Sequence, residues 1–159
     1  MRKVTLIFLR RGNEILLAMK KRRFGAGKWN GVGGKCEGEE TLTQAAVREA
    51  REEIGVGLQE KDLELVGDIK FYFPNKEDWN QEVFVYVARK WAGEIVESEE
   101  MKPEWFNIEN IPYESMWADD PLWLPQVLVG KKIQGDVYFG IEGEGNTVEK
   151  IEVREMGKL

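Results

Sequence analysis

The chain has 159 residues, of which 42% are hydrophobic and 33% are charged, and its formal net charge is −6 at pH 7. This composition is typical of a globular protein with a sizeable core, so we expect residues 1–159 to form a single domain. The acidic balance argues against a nucleic-acid partner, which would require a basic face. The absence of histidine excludes Ser-His-Asp and Cys-His catalysis, and the single cysteine, Cys36, excludes an internal disulfide.

Two apolar runs open the chain, at residues 4–9 and 14–19, and the turn residues Arg11-Gly12-Asn13 separate them. This pattern predicts a β-hairpin. No apolar run approaches the length of a membrane span or of a signal-peptide core, so we expect a cytoplasmic protein without a membrane partner. A basic cluster at residues 20–23 follows the second strand. It is either a solvated strand end or a group that neutralises a phosphorylated ligand.

A helix rich in glutamate is predicted between Thr41 and Gly55. Thr41 is a favourable N-cap, Gln44 three residues later completes a capping box, and Gly55 supplies the C-terminal stop. A narrow apolar stripe at four-residue spacing predicts that the helix lies close against a sheet. The stripe consists of Leu42, Ala46, Ala50 and Ile54.

Three glutamates of this helix project from one side. Glu49, Glu52 and Glu53 stand at positions i, i+3 and i+4, so three like charges lie close together. Carboxylate oxygens are the ligands that Mg²⁺ prefers, so a cation between the glutamates and a phosphate chain explains the arrangement. Arg48 lies on the neighbouring flank, where it can orient a carboxylate through a bidentate contact. The alternative is an ordinary charged helix exposed to solvent.

The rest of the chain alternates strands, loops and two helical segments. Strands are predicted at residues 63–73, 82–89, 105–106, 134–141 and 147–154, the last two as a closing hairpin across residues 142–146. Polar loops are predicted at residues 74–80 and 94–103, a helical turn at 111–116 and a helix at 119–129 with Asp119 as its cap. The fold class is therefore α+β, with a mixed sheet flanked by helices.

The spacing of the glutamate helix and the loop before it is similar throughout to the Nudix box. The matching positions are Gly34, Glu40, Arg48, Glu49, Glu52, Glu53, Gly55 and Val56. The chain thus resembles the Nudix hydrolases, which cleave nucleoside diphosphates linked to another moiety. One position departs from the pattern, because Ala50 stands where the family usually carries a bulkier aliphatic residue. The resemblance implies the Nudix fold, an α/β/α sandwich.

The resemblance also implies substitution at phosphorus by water, with Mg²⁺ or Mn²⁺ as the cofactor. The metal ligands that it implies are the backbone carbonyl of Gly33 and the carboxylates of Glu49, Glu52, Glu53 and Glu100. Since there is no histidine, the base must be a carboxylate or a metal-bound hydroxide. Glu53 is the first candidate for ligand and base combined, and the sequence leaves open which glutamate takes the proton.

Three further segments, at residues 19–35, 96–106 and 116–125, are similar to the MutT-related oxidised-purine nucleoside triphosphatases within this family. Those enzymes hydrolyse 8-oxo-dGTP and 2-hydroxy-dATP to the monophosphate and pyrophosphate and thereby sanitise the nucleotide pool. The likeness covers nearly the whole chain. It implies that Asn30, Trp117, Asp119 and Asp120 hold the base. The other substrate-binding candidates are Thr5, Lys20, Val32, Gly33, Gly34, Lys35, Phe71 and Phe73.

The adjacent carboxyls of Asp119 and Asp120, if enclosed, are not both expected to ionise, so one becomes a hydrogen-bond donor. The alternatives are that Asp119 only caps a helix and that Trp117 belongs to the core. Gln81 and the loop at residues 75–80 depart from the resemblance and alter the pocket rim. Other functions stay open: a Nudix substrate such as ADP-ribose, a dinucleoside polyphosphate or an unoxidised triphosphate, or a non-catalytic nucleotide sensor. In each case we expect a monomer with a small-molecule nucleotide as its partner.

Overall fold

The computed structural model describes residues 1–23, 25–141 and 145–157, which contain eight strands and two α-helices. The strands are β1 (Arg2–Arg11), β2 (Glu14–Lys20), β3 (Trp29–Asn30), β4 (Leu63–Tyr72), β5 (Gln81–Ala88), β6 (Met101–Asn107), β7 (Ile133–Phe139) and β8 (Val148–Glu155). The helices are α1 (Leu42–Ile54) and α2 (Asp120–Leu128), and short 3₁₀ turns cover Glu60–Asp62, Glu77–Trp79 and Tyr113–Ser115. Within these ranges no helix is both long enough and apolar enough to span a membrane.

The strands form one mixed sheet, as predicted. Its order is β3-β2-β1-β5-β4-β7-β8, with β6 paired to β2. β1 is parallel to β5 and β4 is parallel to β7, whereas the other pairs are antiparallel. β1 pairs with β2 only at Arg10 and Arg11, which leaves the rest of that edge of β1 open. The glycine-rich segment after β3 occupies it: Ile7 donates to the Val32 carbonyl at 2.6 Å and Thr5 to the Gly34 carbonyl at 2.9 Å.

The sheet separates two hydrophobic cores, because alternate side chains of a strand point to opposite faces. On one face, Ile7 belongs to a buried cluster with Ala46, Ala50 and other apolar residues of α1. On the other face, the next residue, Phe8, belongs to a cluster with Trp123 and other apolar residues of α2. One helix therefore covers each face, which confirms the predicted α/β/α arrangement.

The boundaries of α1 agree with the sequence. The Thr41 hydroxyl accepts a hydrogen bond from the Gln44 N–H at 3.2 Å, and the Gln44 side chain accepts one from the Thr41 N–H at 2.9 Å. The helix ends at Gly55, whose φ of 76° is the left-handed conformation typical of a C-terminal glycine. The predicted capping box and stop are both confirmed.

Several other boundaries differ from the prediction. β6 is longer than the predicted strand at 105–106, because its backbone pairs with β2 along its whole length, from Asn107 opposite Glu14 to Met101 opposite Lys20. β3 was not predicted, since two residues give no periodicity. The closing hairpin is present as β7 and β8, although residues 142–144 of its connection lie outside the described residues.

The predicted cap of α2 is wrong. Asp119 occupies the N-cap position of the backbone, but its side chain makes no capping hydrogen bond. Its carboxylate instead accepts a hydrogen bond from the indole N–H of Trp123 at 2.6 Å. The reason is burial: the enclosed carboxylate of Asp119 needs a hydrogen-bond donor, and the indole N–H of Trp123 is the donor within reach.

Candidate active site

A cavity of about 520 Å³ lies on the α2 side of the sheet. Its walls come from strands β1 to β7, the segments that follow β2, β3 and β4, and the start of α2. Of the predicted substrate-binding residues, those that line it are Thr5, Lys20, Asn30, Gly33, Gly34, Lys35, Phe71, Phe73, Trp117, Asp119 and Asp120. Residues far apart in the sequence thus meet in one space of the size that small-molecule sites have.

The two aspartates at the start of α2 form a buried pair of carboxyls in the cavity wall. Asp119 is 3% exposed and Asp120 is 2% exposed. Burial raises the pKa of Asp119 to about 6, and the hydrogen bond from Trp123 opposes this effect. Burial also raises the pKa of Asp120 well above its ordinary value, and the negative charge of Asp119 adds to the effect. The two carboxyls are therefore not both ionised at neutral pH, and the pair holds a proton between them.

The carboxyl of Asp120 retains unused hydrogen-bonding capacity. Its Oδ2 atom is buried and has no hydrogen-bond partner within the described part of the chain. Burying a polar atom without a partner is unfavourable, so such an atom in a cavity is available to a ligand. The backbone N–H of Asp120 donates to the Trp117 carbonyl at 3.1 Å, which fixes the carboxyl relative to the neighbouring indole.

Trp117 forms a half-buried wall of this end of the cavity. Its ring lies 6.0 Å from the ring of Phe139, measured between centroids, at an angle of 47°. A Cβ at Gly145 would lie 1.8 Å from the six-membered ring of Trp117, so only glycine permits this approach. Trp117 therefore packs against Phe139 and also faces the cavity, so it has features of both predicted alternatives, a core residue and a base-binding residue.

Asn30 reaches the cavity from β3. Its side-chain oxygen accepts a hydrogen bond from the N–H of Gly31 at 2.8 Å. The predicted acceptor is thus already used by the backbone, and the amide N–H₂ group is the part of Asn30 suited to a ligand.

The glycine-rich segment lies between β1 and α1 with no room for side chains. A Cβ at Gly33 would lie 1.9 Å from the Thr5 carbonyl oxygen, and one at Gly34 would lie 2.6 Å from a carboxylate oxygen of Glu49. This close approach lets the N–H of Gly33 donate to the Glu53 carboxylate at 2.7 Å. The glycines therefore connect the cavity wall to the glutamates of α1.

Arg48 is the centre of an ion-pair network, as its position in the sequence predicts. Its guanidinium binds the Glu40 carboxylate through two hydrogen bonds, of 2.7 and 3.0 Å. The same group donates to Glu49 at 3.0 Å and to Glu52 at 3.2 Å, and to the carbonyl of Lys35 at 3.0 Å. Arg48 thus orients two of the α1 glutamates and holds the helix against the preceding loop.

Glu53 has the most strongly shifted pKa among the glutamates in the described part of the chain. Burial raises its pKa to about 7, the N–H of Gly33 opposes this, and the charge of Glu49 adds to it. Burial also raises the pKa of Glu49, against the hydrogen bond from Arg48. For Glu49 and Glu53, four residues apart on α1, the cost of burying the negative charge thus exceeds the stabilisation that neighbouring donors and cations provide.

Comparison with known proteins places this geometry in a family. The model of the NUDIX domain matches residues 1–127. The chain belongs to the Nudix hydrolase family. It is 44% identical to the oxidized purine nucleoside triphosphate hydrolase of Danio rerio, over 92% of this chain and 90% of the relative. It is 41% identical to the protein of the same name from Mus musculus, over 85% of each.

Solved structures agree with the fold. A MutT protein from Bacillus halodurans is similar with a TM-score of 0.80 and 25% identity, over 96% of this chain and 97% of that one. A MutT Nudix hydrolase from Burkholderia pseudomallei has a TM-score of 0.69 and 27% identity, over 79% of this chain and 97% of that one. The predicted family and fold are therefore confirmed.

Nudix hydrolases generally use divalent metals, and the donor set here fits such an ion in part. Gly33, Glu49 and Glu53 lie together, and carboxylate and carbonyl oxygens are hard ligands. Glu52 is instead exposed and bound to Arg48, while Glu100 accepts a hydrogen bond from Arg22 at 2.9 Å. Across the described residues, no group of three or more acidic or cysteine side chains is arranged to hold a metal. Of the predicted metal ligands, Gly33, Glu49 and Glu53 thus lie close together, whereas the carboxylates of Glu52 and Glu100 are paired with arginines.

Val32 is the predicted binding residue that this Nudix hydrolase places elsewhere. Its side chain is buried in the core beneath α1, and its N–H and carbonyl both pair with Ile7. The strand-like pairing with β1 turns the Val32 side chain to the opposite face of the sheet from the cavity. Contrary to the prediction, Val32 is therefore a core residue and does not line the cavity.

The cavity also contains residues that the sequence does not predict as binding residues. Trp79 lines the cavity from the 3₁₀ turn after β4 and packs edge-on against Phe73, with ring centroids 5.7 Å apart. In the sequence, the position of Trp79 inside the polar loop at 74–80 is the feature that could have indicated a binding role. Phe139 has no such feature, because an apolar residue in a strand usually belongs to the core. Gln81, predicted to alter the rim, does line the cavity.

Proposed function

We propose that this Nudix hydrolase converts oxidised purine nucleoside triphosphates, such as 8-oxo-dGTP and 2-hydroxy-dATP, to the monophosphate and pyrophosphate. The observation that carries the proposal is the buried pair Asp119 and Asp120 in a cavity beside Trp117. The names of the zebrafish and mouse relatives, which align over most of the chain, support the same activity. Such hydrolysis would remove damaged nucleotides from the pool.

The aspartate pair supplies base selectivity. An ionised Asp119 is an acceptor only, whereas a protonated Asp120 is also a donor, so the pair presents both to the edge of a purine. Exchange of the proton between the two carboxyls reverses this pattern, which suits two differently oxidised bases. Trp117 offers an aromatic face for stacking.

The phosphate chain would extend from the base toward α1. Gly33 lies between the cavity and α1 and positions Glu53 through its N–H. Arg48 orients Glu49. Because its pKa is near 7, Glu53 is able to accept a proton from the attacking water at neutral pH, and it is our choice for the general base. Glu49 supplies the second carboxylate of the proposed hydrolytic site, beside that of Glu53.

We assign the metal to the carbonyl of Gly33 and the carboxylates of Glu49 and Glu53. Glu52 and Glu100 would join by exchanging their arginine partners for the cation. Mg²⁺, or Mn²⁺, would neutralise phosphate charge and activate water as a Lewis acid when bound there.

The decisive experiment measures pyrophosphate release with Mg²⁺ from 8-oxo-dGTP, 2-hydroxy-dATP, dGTP and ADP-ribose in parallel. We expect the two oxidised purines to have the highest kcat/KM. Equal rates on dGTP would retain the hydrolase and refute the sanitising role. Turnover of none of them would favour a nucleotide sensor.

Two variants separate the base pocket from the hydrolytic site. Asp119→Asn removes the ionised acceptor, so we expect a selective loss of 8-oxo-dGTP hydrolysis relative to dGTP. An equal loss on all nucleotides would show that Asp119 is structural. Glu53→Gln should abolish turnover while leaving binding of the monophosphate product within a few-fold, and normal turnover by this variant would refute our assignment of Glu53.

We also infer that the protein acts on free nucleotides in the cytoplasm, as a monomer without a nucleic-acid or membrane partner. The net charge of −6 and the small size of the cavity support this inference. Sedimentation analysis, together with titration of duplex DNA, tests it, and a stable dimer or salt-sensitive DNA binding would contradict it.

A further inference from the structure

Five cations line the cavity, although the chain as a whole is acidic. They are Arg2, Lys20, Arg23, Lys28 and Lys35. Lys28 belongs to the base end, because its ammonium lies 5.6 Å from the centre of the Trp117 ring and donates to the Asn146 side chain at 3.1 Å. The five cations thus occupy different parts of the cavity, and Lys28 is the cation of the base end.

Arg23 lines the cavity from the turn that follows β2. The start of this turn lies beside Glu100, because the N–H of Lys21 donates to the Glu100 carbonyl at 2.9 Å and the Arg22 guanidinium donates to the Glu100 carboxylate at 2.9 Å. Besides the dominant hydrogen bond from Arg22, the positive charges of Arg23 and Lys20 lower the pKa of Glu100. Burial is the main cause of the raised pKa of Glu53, and Lys20 and Glu100 are both close enough to modify it. Arg23 and Lys20 therefore belong to the segment beside Glu100, which joins the metal site in the proposed function and would there face the phosphate chain.

The backbone of Arg23 is strained. Its φ is 70°, and it is the only non-glycine residue with a positive φ in the described ranges. A side chain at such a position costs conformational free energy that glycine would avoid. The turn is fixed by two hydrogen bonds, from the N–H of Ala26 to the Arg23 carbonyl at 3.0 Å and from the N–H of Gly27 to the Lys20 carbonyl at 2.8 Å. An arginine held there at a cost indicates a role for its side chain.

We propose that Arg23 is a specificity-determining residue that binds the terminal phosphate and makes the site select triphosphates over shorter phosphate chains. This inference rests on the proposed function, since it takes the phosphate chain to run from the base pocket to α1. A guanidinium suits this role because its N–H groups bind two phosphate oxygens at once and its charge does not titrate. Lys20, from the adjacent strand end, supplies the second positive charge.

The test compares fold stability with polyphosphate binding in the same variants, with Mg²⁺ present. Arg23→Gly removes both the charge and the backbone strain, whereas Arg23→Lys keeps the charge and the strain. Arg154→Gln, an exposed arginine of β8, controls for the loss of one positive charge. Titration calorimetry measures the Kd of inorganic tripolyphosphate and of orthophosphate, and a thermal scan measures Tm.

We expect Arg23→Gly to raise Tm by about 2–4 °C and to weaken tripolyphosphate binding about tenfold, with less than a twofold change for orthophosphate. Arg23→Lys should keep binding within about threefold without raising Tm, and the control should change neither quantity. A glycine variant that gains stability but binds tripolyphosphate as wild type does would overturn the proposal, because Arg23 would then be only a turn residue. Equal weakening of tripolyphosphate and orthophosphate would overturn the selection by chain length.

These outcomes are distinguishable from a failure of the proposed function. Inorganic tripolyphosphate carries no base, so its Kd does not depend on which purine the cavity accepts. If wild type fails to prefer oxidised purines, the proposed substrate is wrong while the tripolyphosphate comparison still decides the role of Arg23. If wild type prefers them, the ratio of kcat/KM for 8-oxo-dGTP over dGTP should stay unchanged in Arg23→Gly.

Discussion

The raised pKa of Glu53 predicts that this residue destabilises the metal-free fold at neutral and alkaline pH. Its pKa is about 7 in the folded protein, against an ordinary value of 4.5. The folded state therefore binds the proton more tightly than the unfolded chain, so the free energy of unfolding falls as pH rises from 4.5 to 7 and stays low above that range. At 1.36 kcal/mol for each pKa unit, the loss amounts to about 3 kcal/mol.

The Glu53→Gln variant removes this loss without changing the shape of the side chain. Its carboxamide oxygen still accepts the hydrogen bond from the Gly33 N–H, but the group does not ionise. In EDTA at pH 8 we expect the variant to be more stable than wild type by up to about 3 kcal/mol, and the difference should vanish at and below about pH 4.5. Excess Mg²⁺ at pH 8 should stabilise wild type more than the variant, because the ion binds the carboxylate.

Urea unfolding followed by tryptophan fluorescence at pH 4.5, 6 and 8 measures these differences. Glu39→Gln serves as the matched control, because Glu39 is exposed in the loop before α1, and its stability should equal that of wild type throughout. Equal stability of Glu53→Gln and wild type at pH 8 would refute the reasoning. So would a stabilisation that is the same at pH 4.5 and pH 8, because it would not come from ionisation.

Two further substitutions test the geometry around α1. Gly34→Ala would place a Cβ 2.6 Å from a Glu49 carboxylate oxygen, at the end of a flexible side chain, so we expect a small change in Tm but a loss of turnover of about 100-fold as Glu49 is displaced; wild-type kcat would contradict a role for Glu49. Thr41→Ala removes the N-cap bond of α1 and should cost about 1 kcal/mol, or 2–4 °C in Tm, with little effect on KM. A Tm equal to that of wild type would show that the cap contributes nothing.

The sequence determined the features that depend on local chemistry. The ends of α1 follow from Thr41, Gln44 and Gly55, because capping involves residues at most four positions apart. The placing of Glu49 and Glu53 beside one another follows from the period of the helix. The family, and with it the mixed sheet between two helices, could be read from the spacing of the glutamates and glycines.

Only the tertiary structure decided which partner each polar side chain takes. Asp119 reads as a cap in the sequence, yet burial directs its carboxylate to Trp123. The family resemblance implies Glu100 as a metal ligand, and the fold gives its carboxylate an arginine partner. Pairing with β1 turns the Val32 side chain away from the cavity. The strain at Arg23 arises from a closed turn that no local pattern reveals. These outcomes depend on distances between residues remote in the chain, because hydrogen bonds and burial are satisfied by whichever group the fold brings near.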